Sequence, residues 1–357
     1  MPVISRTIRR LAEGSGNNST RDLGPGGSND HTARIWDAKS GKQIAILQHK
    51  DQVTSARYSR NGSRVVTSSF DKTVCIWDAA TGKRIHILTH KGDDWFSSGA
   101  FSPDGKFVVG AGYSGNGVIW DAHTGQLVGV LPGPLGAIVS SAYFNRDGTL
   151  IVTGSWDKTA RIWLSATSEQ VGLLRHNDLV LWADFSPDGL HIATVCRDHT
   201  LWIWDVPTGK SVAVVQLADN AWTVALSPDN SRIATGEGLK GAHVWDAATG
   251  KLLLTLEARG LVLSVDFNHD STLVLAADGV AGIWDVKTGK QLTVFGGDPG
   301  VRLAVFNFNA SQVAVSYLFR GGVWDVRTAK QIATFGGDQA NIESIEFSPD
   351  GSRILTS

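Results

Sequence analysis

Tryptophan recurs in this chain with a nearly fixed period. Trp36, Trp77, Trp120, Trp163, Trp204, Trp245, Trp284 and Trp324 follow one another at intervals of 41, 43, 43, 41, 41, 39 and 40 residues. Asp comes directly after seven of them, and Trp163 alone is followed by Leu164. A period near 40 with one indole per period marks a repeat array, in which each unit needs its neighbours to bury its apolar face. The 357 residues therefore read as one array rather than two or three independent domains.

The stretches between the tryptophans have the pattern of strands. Residues 53–89 contain "VTSARYS", "RVVTSSF", "KTVCIWD" and "RIHILT", short runs rich in Val, Ile and Thr and bounded by Gly, Asn or Asp. No sustained helical periodicity interrupts them. A Thr-Gly pair usually follows the Trp-Asp, as at Thr81-Gly82, Thr124-Gly125, Thr208-Gly209, Thr249-Gly250 and Thr288-Gly289. Gly supplies the positive φ of a tight hairpin. The spacing predicts four short antiparallel strands per repeat and an all-β fold.

These motifs resemble the WD-repeat (WD40) β-propeller family over residues 28–357. The resemblance implies a structural tetrad in each repeat, formed by His, Thr or Ser, Asp and Trp. Two repeats match it in full: His49, Thr67, Asp71 and Trp77, then His176, Thr194, Asp198 and Trp204. The repeat at Trp163 keeps Thr153 and Asp157 without a His, and Trp284 has a plausible Asp278. Those ending at Trp120, Trp245 and Trp324 lack both the turn Asp and the His.

The two ends of the chain fit one repeat. "ILTS" at 354–357 joined to "SNDHTARIWD" at 28–37 matches the internal "VVTSSFDKTVCIWD" at 65–78. Thr356 then falls on Thr67, Asp30 on Asp71 and Trp36 on Trp77. Residues 28–357 accordingly read as a β-propeller of eight four-stranded blades, closed by pairing N- and C-terminal strands. Seven blades with a partial repeat, or a fragment of a longer array, are the alternatives. Residues 1–27 read as a weakly ordered N-terminal tail, with Arg6, Arg9 and Arg10 ahead of a Gly-, Ser- and Asn-rich stretch.

A net charge near −1 with scattered Lys and Arg argues against nucleic acid and anionic membrane as partners. No apolar run is long enough for a membrane-spanning helix. Two cysteines, Cys75 and Cys196, make no disulfide framework and point to a reducing, cytoplasmic compartment. "GAGYSG" at 110–115 satisfies G-x-G-x-x-G, but "NGVIWD" follows it, a strand where a dinucleotide site needs a helix. Histidine and cysteine spacing suggests no zinc site.

The family resemblance implies a non-enzymatic scaffold for a protein or peptide, without a cofactor, binding on the face where the channel opens. Trp95, Trp182 and Trp222 stand near the starts of first strands on that side. Around them lie Asp51, Asp94, Asp178, Arg259, Arg302 and Asn341. Large aromatics ringed by polar groups are the composition of an interface hot spot. Filling of gaps between repeats is an equal reading for the tryptophans. The alternative function is a propeller enzyme, a hydrolase or an eight-bladed quinoprotein-like dehydrogenase. The dehydrogenase family's docking Trp would fall at Ala45, His86 and Ala213, where this chain has none.

Overall fold

A computed structural model describes residues 30–90, 94–257, 260–295, 300–337 and 341–357. Among these, every regular element is a strand, and the strands assemble into eight four-stranded sheets, the blades of an eight-bladed β-propeller. The second blade shows the plan. Strands β3 (Val53–Tyr58), β4 (Arg64–Ser69), β5 (Val74–Asp78) and β6 (Arg84–Leu88) pair in sequence order, antiparallel throughout. The first three are largely buried, whereas β6 alternates and leaves Ile85 and Ile87 exposed.

Among the described residues, the first and last strands share a sheet. Its order is β2 (Gln43–Gln48), β1 (Thr32–Asp37), β32 (Arg353–Thr356) and β31 (Ile345–Phe347). Arg34 lies opposite Thr356 and Trp36 opposite Ile354. That register equals the internal one, in which Trp77 lies opposite Val65. The splice seen in the sequence is thus a physical pairing.

Each Trp-Asp leads into a hairpin whose Asp holds it closed. Asp78 Oδ1 accepts the Thr81 N–H at 2.8 Å and the Thr81 hydroxyl at 2.6 Å, and Gly82 then takes φ +69°. The same pair of bonds joins Asp246 to Thr249 and Asp285 to Thr288. Where Gly is missing, another residue takes the left-handed conformation: Ser168 at φ +60° after the Trp163 strand, and Ala329 at φ +53° after the Trp324 strand.

By internal contact the chain divides into two compact units, one chiefly Leu47–Ser211, the other chiefly Arg34–Ile46 with Val212–Ser357. Within the former, neighbouring blades share apolar layers such as Val66, Val74, Ile76, Phe96, Val108 and Trp120. A second device joins their innermost strands, β3, β7 (Phe96–Phe101), β11 (Val139–Phe144) and β15 (Val180–Phe185). Each carries a bulge near its start. At three of these bulges a hydroxyl crosses to the next strand: Thr54 to Phe96 O at 2.7 Å, Ser97 to Val139 O and Ser140 to Val180 O, both at 2.9 Å. The bulge re-aims a side chain that regular pleating would point elsewhere. In the latter unit, the Ser264 hydroxyl donates to Ala304 O at 2.9 Å from a strand in regular register. Its core includes Trp36, Leu303, Val323, Phe335 and Ile345.

Candidate functional site

Two backbone bonds bring aromatic side chains to the surface together. The residue after a blade's second strand returns its N–H to the residue before the first strand. Phe70 donates to Gln52 O at 3.0 Å, and Tyr113, after β8 (Phe107–Gly112), donates to Trp95 O at 2.9 Å. Trp95 consequently emerges between the two turns. Its ring centroid is 5.8 Å from Phe70 and 6.0 Å from Tyr113, and those two are 5.7 Å apart. The rings meet edge to face or tilted, the arrangement their quadrupoles favour. Phe70 and Tyr113 are half-buried, and burial pushes the Tyr113 hydroxyl up to about pKa 12. Trp95 stays 45% exposed.

The loop carrying Leu135, which is 96% exposed, lies against the turn after Tyr113. A Cβ on Gly115 would overlap the Pro134 carbonyl oxygen, and one on Gly133 would overlap the Gly115 carbonyl oxygen. Backbone contact this close requires Gly on both sides. Leu135 is therefore displayed at the tip of a tightly seated loop.

The other tryptophans singled out from the sequence lie elsewhere. Trp182 is inside β15 and 2% exposed, a packing side chain with its indole N–H buried and unbonded. Trp222 is half-buried and donates its backbone N–H to Gly236 O. The charged residues are mostly engaged in local structure. Asp94 is buried and accepts the Ser114 N–H at 2.6 Å and the Ser114 hydroxyl. Asp51 and Asp178 each cap the next residue's N–H at 2.8 Å. Arg302 forms a two-pronged ion pair with Glu343, at 3.1 and 3.3 Å. Asn341 is half-buried, and Arg259 lies outside the described residues.

The buried polar networks are held by the turns. His49 Nδ1 is 2.9 Å from Asp71 Oδ2, and its Nε2 is 2.6 Å from Thr67 Oγ1, which also accepts the Trp77 indole N–H at 2.7 Å. Burial alone would lower the His49 pKa, yet the Asp71 bond and charge, with the Cys75 sulfur nearby, push it up to about 9. Burial likewise opposes the charge on Asp71, but bonds from His49, Lys50 N–H and Thr73 hold it well below the usual carboxylate range. Around His176 the outcome reverses. Its Nε2 meets Thr194 at 2.8 Å, whereas its Nδ1 is buried without a hydrogen-bond partner, and burial lowers its pKa to about 4. Trp202, stacked at 5.2 Å on Trp204, closes over the imidazole.

Three repeats without the full motif use substitutes that the spacing did not reveal. Arg161 takes the place of the missing His, reaching Asp157 at 2.6 Å. In the Trp245 repeat, Glu237 replaces the Asp: it accepts from Thr235 at 2.7 Å and pairs with His243 at 3.0 Å. Both Arg161 and His243 stand two residues before their Trp, on the same face of the strand, so period-two alternation could have found them. In the Trp120 repeat Gly110 occupies the register position that Thr67 has in the second blade, and the Trp120 indole N–H turns to Thr89 O at 3.2 Å. The Trp324 indole N–H is buried without a partner.

Among the described residues, no three His, Cys, Asp or Glu side chains are placed to hold a metal ion, and no helix is long and apolar enough to cross a membrane. Gly110 and Gly112 of the G-x-G-x-x-G run lie within β8, and the next element is β9 (Gly117–Asp121), a strand.

The chain resembles known proteins both in its repeats and in its fold. The family model described as "WD domain, G-beta repeat" matches residues 41–78, 82–121, 125–163, 168–205 and 250–285, more than half of the chain. Among solved structures, the computationally designed Ika8 protein matches with a TM-score of 0.71 and 21% identity, over 86% of this chain and 96% of that one. At that identity the likeness is one of fold. No curated protein matches the chain.

Proposed function

The chain belongs to the WD40 family, and we propose that it is a non-enzymatic scaffold that binds a protein or peptide through the cluster of Phe70, Trp95, Tyr113 and Leu135. One observation carries the reading: Trp95 keeps 45% of its surface exposed while resting on two other rings. An indole supported in this way offers a large contact area with little rotamer entropy to lose on binding. Leu135 supplies an exposed apolar side chain on the loop seated against the turn after Tyr113. The charged groups first considered for binding serve chiefly as caps and ion pairs, so recognition rests on the aromatic and aliphatic side chains. Cys75 and Cys196 are buried free thiols, which fits a reducing, cytoplasmic location.

Site-specific photocrosslinking tests this reading. A benzophenone side chain at position 135, in cells that make the protein, should trap a discrete partner. The same group at Ile87, on an outer strand, should not trap it. Trp95→Ala should reduce the position-135 adduct at least tenfold without lowering the melting temperature. Equal trapping at both positions, or indifference to Trp95→Ala, would refute it.

A further inference from the structure

The outer strand of the Trp245 blade is apolar and unpaired on one side. Its sheet runs β19 (Thr223–Leu226), β20 (Arg232–Gly236), β21 (Ala242–Asp246) and β22 (Leu252–Leu256). Among the described residues, no strand pairs with the outer edge of β22. Such an edge offers a row of main-chain donors and acceptors to another strand. β22 reads Leu-Leu-Leu-Thr-Leu, with none of the charge, Pro or Gly that blunts or weakens an edge. Val244 lies opposite Leu254 and Trp245 opposite Leu252, so Leu253 is an extra residue, and Leu252 and Leu253 are both exposed. Leu254 packs toward Gly289 of the next hairpin, and Leu256 is in the core.

Opposite charges frame this strand. Lys251 precedes it and Glu257 follows it, both exposed. Antiparallel pairing of two copies about a two-fold axis at Leu254 sets Lys251 of each opposite Glu257 of the other. Leu252 then faces Leu256, and Leu253 faces Thr255. Opposite charges across a strand pair stabilise it, and like charges destabilise it. At the corresponding positions β2 has Lys42 and Gln48, and β18 (Ser211–Gln216) has Lys210 and Gln216. In β30 (Gln331–Gly336) they are Lys330 and Gly336, so self-pairing of these three strands gains no ion pair. β14 (Gln170–Arg175) is framed by Glu169 and Arg175, but Gly172 at its centre weakens it. Antiparallel pairing of β14 with β22 would set Glu169 against Glu257 and Arg175 against Lys251. Like charges thus oppose the cross-pairing that would run copies into open chains.

We propose that two copies of this chain associate edge to edge through β22, antiparallel, in one continuous sheet. Main-chain bonds and leucine contacts hold the pair, and the Lys251–Glu257 contacts set its register. A strand pair of this length is at the small end of specific interfaces, so the dimer forms as concentration rises. No external partner is needed, and the association stands or falls apart from the scaffold reading.

Sedimentation velocity of the full-length protein over about a hundredfold range of concentration tests this. The sedimentation coefficient should climb from that of a monomer to that of a dimer and stop there. Lys251→Glu alone sets like charges together at both ends and should weaken the dimer about tenfold. Glu257→Lys alone should do the same. The two reversals combined bring opposite charges together again and should restore the dimer. Both side chains being exposed, all three variants should melt with the unmodified protein. A monomer at every concentration, assembly that continues beyond a dimer, single reversals without effect, or a double reversal that stays monomeric would each overturn the proposal.

Discussion

The indole N–H of Trp36 donates to the hydroxyl of Thr356 across 2.9 Å, although 320 residues separate them in the chain. The same bond, Trp77 to Thr67 at 2.7 Å, spans ten residues inside the second blade. A local contact within one repeat has become the contact that joins the first and last strands. Thr356→Val keeps the shape and removes the acceptor, leaving a buried N–H unsatisfied. It should cost about 1–3 kcal/mol, seen as a lower urea midpoint with an unchanged slope. Thr67→Val should cost more, because His49 also loses a partner.

Two histidines with opposite environments should give opposite pH responses. His49, raised from 6.5 to about 9 beside Asp71, contributes stability that is fully present below about pH 6.5 and lost as pH rises through about 9. His176, lowered from 6.5 to about 4, is buried neutral; its contribution holds above about 6.5 and falls away as pH drops toward 4. Unfolding free energies from pH 4 to 10 should show both limbs. His49→Gln should flatten the alkaline limb, and His176→Gln the acid one.

Substitutions at two hairpins should act with opposite signs. Ala329 sits at φ +53°, a conformation that costs an L-residue roughly 1–2 kcal/mol. Ala329→Gly should raise the melting temperature. Gly41, at φ +72°, has no room for a side chain, since a Cβ there would overlap the Thr334 carbonyl oxygen. Gly41→Ala should lower it, by more than the first change raises it. Calorimetry of both variants checks the pair.

Buried networks also rank the blades. Trp77 is bonded to Thr67 and flanked by the His49–Asp71 pair, whereas the Trp324 N–H is buried without a partner. Amides of β29 (Arg320–Asp325) should therefore exchange with solvent before those of β5 in native-state hydrogen exchange. Equal protection would remove the link between the network and local stability.

The periodic part of this molecule could be read directly from its residues. Trp and Asp repeat because an indole and a hairpin cap are needed once per blade, and the match of 354–357 to 65–68 exposed the shared sheet. The seams between inner strands left a fainter mark, the recurring "VTS", "FSS" and "VSS" at 53–55, 96–98 and 139–141. Its meaning depends on bulges, which strand alternation does not predict. Two of the three tryptophans that looked alike differ by their place relative to the first strand. Trp95 precedes its strand and faces outward, whereas Trp182 lies past the register shift at Val180 and is packed inside. Leu135 went unnoticed because nothing in "LPGPLGAI" reveals that Gly115 and Gly133 seat its loop.

The sheet shared by the two ends is tested most directly by cross-strand backbone nuclear Overhauser contacts in the labelled full-length protein. The register pairs Arg34 with Thr356, Ile35 with Leu355, Trp36 with Ile354 and Asp37 with Arg353. Contacts linking these two segments in that register are the predicted result. Their absence, or a register shifted by one residue so that Trp36 faces the other side of its sheet, would contradict it.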